Sequence, residues 1–100
     1  MYKIKNDRYQ KSRGGYSQIL DVTCEHCGGH ICFYQKDGPG ALRRMYVDRM
    51  IDSQPDDKIL TCFKCQRDLA VRIIWQKENR PAYRLFVESV KKKRVSKDSV

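Results

Sequence analysis

Two cysteine pairs constrain this chain more than any other feature in it. TCEHCG, at Thr23 to Gly28, and TCFKCQ, at Thr61 to Gln66, each place two residues between their cysteines. That step lets one tight turn aim two sulfurs at a common point, and two such turns complete a tetrahedral shell of thiolates around one ion. Cys24, Cys27, Cys62 and Cys65 are therefore the expected ligands of one structural Zn2+.

A chain of 100 residues builds only a small core and usually needs a staple. Disulfides fit poorly, because five cysteines leave one unpaired under any full pairing. The opening MYKIKNDRYQ has no apolar h-region, and no apolar run approaches the roughly 20 residues of a membrane span. The expectation is a cytoplasmic protein, in a reducing compartment where close cysteines bind metal more often than they form disulfides.

Periodicity points to a mainly β fold. Gln18, Leu20, Val22 and Cys24 alternate with Ile19, Asp21 and Thr23, as a strand leading into the first cysteine pair would. HICFYQ, residues 30 to 35, reads as a second strand, and KDGPG, Lys36 to Gly40, as a hairpin turn. Residues 41 to 51 fit either a helix face or a strand, and the preferred reading is a strand paired with residues 30 to 35. Ser53 to Lys58 reads as a loop, Leu69 to Gln76 and Ala82 to Val87 as strands, and KENRP as the turn between them. The organisation expected is a flexible basic arm over 1–15, a domain over 16–90 and a disordered basic tail over 91–100. VTCEHC and LTCFKC form an internal echo, a repeated device too short to imply a repeat fold.

The cysteine turns and the strands beside them resemble the zinc ribbons, in which two CxxC knuckles clamp one zinc and each continues into antiparallel strands. CEHCG matches such a knuckle, since Gly28 can take positive φ and let backbone N–H groups face sulfur. Gln66 replaces that glycine in the second, which puts that turn's geometry, though not its cysteines, in question. The interval between the pairs also exceeds the roughly 15 to 20 residues common for such motifs, an excess that an added hairpin at KDGPG would absorb. The resemblance implies a small zinc ribbon with antiparallel hairpins over Tyr16 to Val87. It is specific for zinc and nearly silent about function.

The remaining donors have duller readings. His26 lies between two ligand cysteines and should point away from the metal. His30 would have to displace a well-spaced cysteine, and Cys32, among Ile31, Phe33 and Tyr34, reads as a buried strand thiol. A redox role for either pair would need a βαβ context that is not evident. Neither G-x-S-x-G, a Walker loop nor H-E-x-x-H is present, and four thiolates leave zinc no open position, so a non-enzymatic protein is expected.

The formal charge of +9 is concentrated at the ends: five Lys/Arg against two Asp over 1–23, and five against one over 91–100. Nucleic acid or a ribonucleoprotein is the expected partner. Candidate contacts are Arg43, Arg44, Arg49, Arg80 and Arg84, interleaved with Tyr46 and Tyr83, and the run Lys91, Lys92, Lys93 and Arg94. Arginines would meet phosphates and tyrosines stack on bases. The competing reading for Tyr46 and Tyr83 is packing on the sheet. The alternative function is a protein-protein adaptor, docking through an edge strand or through Trp75, Phe33 or Phe86 if exposed.

Overall fold

Strand β1, Ser17–Cys24, buries Leu20, Val22 and Cys24 on one face, because successive side chains of an extended chain point to opposite sides. In the computed structural model, which describes residues 3–100, β1 is the centre of a three-stranded antiparallel sheet. It lies between β2, His30–Asp37, and β7, Val90–Val95. A second antiparallel sheet has the order β3-β6-β5-β4, with β3 at Arg44–Tyr46, β4 at Ile59–Thr61, β5 at Asp68–Trp75 and β6 at Arg80–Leu85. One buried cluster joins the sheets: Leu20, Val22, Cys32 and Tyr34 come from the first, and Met45, Leu60, Ala70 and Tyr83 from the second. The Cys32 sulfur lies 3.9 Å from that of Met45.

The echo in sequence is also an echo in structure. Both cysteine pairs sit at the tips of antiparallel hairpins, β1–β2 and β4–β5. Each hairpin shifts register just before its first cysteine, between Val22 and Thr23 in one and between Leu60 and Thr61 in the other. Thr23 then faces His30, and Thr61 faces Asp68, at the same spacing from the knuckle.

Three expectations need correction. Residues 41 to 51 do contain a strand, Arg44–Tyr46, but it pairs with β6 and not with residues 30 to 35. KDGPG is therefore a crossover from one sheet to the other. The physical reason is face-to-face packing: Tyr34 accepts a hydrogen bond from the Tyr46 N–H on its hydroxyl at 2.9 Å, and the segment meets β2 along the backbone just at its end, through an isolated bridge of Met50 to Tyr34 and the Ile51 N–H donated to the Phe33 carbonyl at 2.9 Å.

The chain also continues in regular structure past Val90, where a disordered tail was expected. Lys91, Lys92, Lys93 and Arg94 run antiparallel to β1 as strand β7. An edge position explains how a strand tolerates four cations in a row, since its side chains on both sides reach water.

The basic arm, finally, is packed over its described part, with Met1 and Tyr2 lying outside the described residues. Lys5 exchanges two hydrogen bonds with the Gln35 amide, at 2.8 and 2.9 Å. Helix α1, Arg8–Ser12, is capped by Asp7, whose side chain accepts the N–H groups of Tyr9 and Gln10. The same carboxylate meets Arg49, whose hydrogen bond holds the Asp7 carboxyl down at about 2.

Candidate metal centre

The first knuckle turns because the Cys24 N–H donates to the Gly29 carbonyl at 2.8 Å and the Gly28 N–H donates to Cys24 at 2.9 Å. The second repeats both bonds: Cys62 to Arg67 at 2.8 Å, and Gln66 to Cys62 at 2.7 Å. Gly28 has φ +75° and Gln66 φ +67°, so glutamine adopts the left-handed backbone that glycine adopts in the other turn. The departure from the knuckle pattern leaves the turn geometry intact.

These turns bring together the four cysteines expected from the sequence. Their Sγ atoms all lie within 4.8 Å of one another, with Cys24 and Cys65 at 3.7 Å and Cys27 and Cys62 at 3.5 Å. Zn–S bonds of ~2.3 Å in a tetrahedron put neighbouring sulfurs ~3.8 Å apart, so the donor set fits one tetrahedral ion. Cys24 and Cys62 are buried, Cys27 and Cys65 half-buried. The Gly29 N–H also points at the Cys27 sulfur at 3.4 Å.

Ionisation of the sulfurs is unequal without a cation. Burial raises the Cys62 thiol, but the N–H groups of Cys65 and Lys64 and the adjacent sulfurs outweigh it and bring the thiol down to about 7. At Cys65 the Arg67 N–H pulls downward, yet burial and the other three sulfurs hold the thiol up at about 12. Several thiolates this close repel one another, and a divalent cation removes that conflict.

The other donors stay outside the cluster. His26 is exposed. His30 is clamped between Asp21 at 2.7 Å and Asp52 at 2.8 Å. Cys32 is buried in the core, which pushes its thiol up to about 12.

The candidate nucleic-acid residues do not form one surface. Arg49 is buried against Asp7 and, at 2.9 Å, Asp37. Arg80 is buried too, its guanidinium 3.8 Å from the ring centroids of both Tyr9 and Tyr46 and 2.7 Å from Asp48. Tyr46 packs in that stack, and Tyr83 is buried with its hydroxyl donating to the Asp57 carbonyl at 2.6 Å. These four side chains are engaged in building the fold. Arg43, Arg84 and Lys91 to Arg94 are exposed, while Arg44 is half-buried, 3.7 Å over the Trp75 ring.

Compared with family models, curated proteins and solved structures, the chain matches none. Its function is read from its own residues. Among those, sequence reasoning passed over Lys36 and Arg13, which the fold gathers at one cleft with Arg43 and Arg44. The signals in the sequence were RGGY at Arg13 to Tyr16, a single copy of an Arg-Gly pattern, and the glycine-rich KDGPG. Among the described residues no helix is long and apolar enough to cross a membrane.

Proposed function

We propose that the chain is a structural-zinc module that binds nucleic acid through its exposed cations. Zinc is the metal that a tetrahedral set of four thiolates favours, and the matched pair of knuckles supports a ribbon-type centre. Four cysteine ligands leave no coordination position for water or substrate, so the metal is structural and the protein a binding module, not an enzyme.

Strand β7 is the observation that carries the nucleic-acid reading. Lys91, Lys92, Lys93 and Arg94 are all exposed, and among the described residues their one ion pair joins Lys91 to Glu25 at 3.9 Å. Alternate residues of a strand share a face, so Lys91 and Lys93 project on one side and Lys92 and Arg94 on the other. Cations on each side are roughly 6.7 Å apart. That spacing spans two phosphates of a nucleic-acid strand at roughly 3.4 Å each along the axis.

Fluorescence anisotropy with a labelled single-stranded oligonucleotide, repeated across salt concentrations, tests this. The logarithm of affinity should fall linearly with the logarithm of salt, and the slope should shrink when residues 91 to 94 are changed to serine. A flat salt response rules the reading out.

A second reading, a protein-protein adaptor, is favoured by Phe63, 77% exposed within the second knuckle, and Val87, 91% exposed beside the half-open Phe86. A pull-down that survives both nuclease and the serine variant of β7 selects it.

A further inference from the structure

The crossover that carries the chain from the first sheet to the second roofs a cleft of about 320 Å³, within the range of small-ligand sites. Arg13, Lys36, Arg43 and Arg44 line it, and Asp37 is its one carboxylate. Asp37 is already engaged, accepting from Arg49 at 2.9 Å on one oxygen and from Ser17 at 2.7 Å and Gln35 at 2.8 Å on the other. Arg13 is matched by Glu78 at 2.9 Å. The other three cations have no such match among the described residues.

Lys36 is the unusual member. It is only 6% exposed, and its single hydrogen bond among the described residues goes to the Gly38 carbonyl at 2.8 Å. A buried ammonium costs free energy unless an anion meets it, and here two of its three N–H donors remain for one. Arg43 makes no side-chain hydrogen bond or ion pair among the described residues, and Arg44 donates only to the Tyr46 hydroxyl at 3.1 Å. Burial, and after it the charge of Lys92, lowers the Lys36 ammonium from its ordinary value, and the nearby Asp37 charge offsets this only in part.

The turn at Gly38 is held closely against the segment before β1. The Gly38 N–H donates to the Tyr16 carbonyl at 2.9 Å, and a Cβ at Gly38 would collide with the Arg13 backbone carbonyl. A roof held this closely loses little entropy when an anion enters.

We propose that this cleft is a phosphate seat, in which Lys36, Arg43 and Arg44 converge on one phosphate group. A phosphate offers several acceptor oxygens and enough charge to match three cations, where a single carboxylate would leave most of them unpaired. The source of that phosphate rests on the nucleic-acid reading above: a backbone or terminal phosphate of a bound strand, with the cations of β7 following the remainder. A free phosphorylated small molecule carries the same group.

Amide NMR of the full, zinc-loaded chain tests the seat with three probes: inorganic pyrophosphate, a short single-stranded oligonucleotide, and the same oligonucleotide with a 5′-phosphate. Saturable shifts are expected at Lys36, Gly38, Gly40 and Arg43 with pyrophosphate and with at least one oligonucleotide. Arg43→Ser, on an exposed side chain, and Lys36→Met should each weaken binding about tenfold or more, the value of one charge-assisted hydrogen bond. Dispersed spectra and retained zinc establish that each variant is folded.

If oligonucleotides bind with shifts at β7 alone, and both variants bind as the parent does, the seat is overturned while nucleic-acid binding stands. If no oligonucleotide binds but pyrophosphate shifts the cleft and both variants lose it, the seat is upheld and its source is a small phosphorylated ligand. No shift at the cleft with any probe overturns the inference.

Discussion

Gln66 stands at φ +67° where Gly28, its counterpart in the first knuckle, stands at φ +75°. Two turns of unlike sequence reach one geometry because each closes the same pair of backbone hydrogen bonds around its first cysteine. The left-handed region costs a residue with a Cβ roughly 1–2 kcal/mol, and glycine gives back part of that in chain entropy. Gln66→Gly should therefore raise the stability of the zinc-loaded protein by up to about 1 kcal/mol in urea denaturation. Gly28→Ala should lower it by roughly 1–2 kcal/mol through backbone strain alone, because a Cβ there meets nothing within 4 Å.

The four sulfurs should hold one zinc per chain by elemental analysis, and a strong chelator should abolish the dispersed spectrum of the folded state. Metal binding of this kind contributes on the order of 10 kcal/mol, comparable to the whole stability of a small domain. Cys62→Ser should lose both metal and fold. Cys32→Ala should keep full metal stoichiometry and lose only packing, since Cys32 lies outside the cluster in the core.

Arg49 holds the N-terminal segment to the body of the fold. Its guanidinium joins Asp7, at the cap of α1, to Asp37, at the end of β2. Arg49→Met should cost about 3–5 kcal/mol, because Asp37 stays buried with its cation removed. Arg49→Met combined with Asp37→Leu should recover part of that loss in the same denaturation experiment. Full additivity of the two single losses would show that the pair is not coupled.

His30 makes stability depend on pH. Burial lowers its imidazole, but hydrogen bonds to Asp52 and Asp21 outweigh burial and raise it above the ordinary value. The folded state thus favours the charged ring. Its contribution is whole below about pH 6.5 and is lost as pH rises through the raised folded value. All three side chains are partly exposed, so solvent screening keeps the effect within about 1 kcal/mol. The stability difference between the parent and His30→Gln should shrink from about pH 6 toward about pH 9, a range that brackets the ordinary histidine value. A difference that grows over that range would reverse the assigned sign.

The sulfur cluster and most strands were legible because their signals are local. A CxxC turn brings its own two ligands together, and alternation of Leu20, Val22 and Cys24 marks a buried face within eight residues of strand. The partner of Arg44–Tyr46 was not legible, since edge pairing with β2 and face packing against it both satisfy the same short apolar pattern. Nor was β7: a lysine run is indistinguishable from a solvated tail until an open sheet edge stands beside it.

By itself, then, the sequence singled out the four cysteines that cluster, the mainly β character and the sign of the net charge, all properties of short segments or of composition. Tertiary structure alone decided which cations remain free to meet a partner. Arg49 and Arg80 read no differently in sequence from Arg43 and Arg84, yet the first two are neutralised by Asp7, Asp37, Asp48 and Glu78 while the others face solvent. A charge is buried or exposed according to which carboxylates the fold carries to it, and those lie in other elements of the chain.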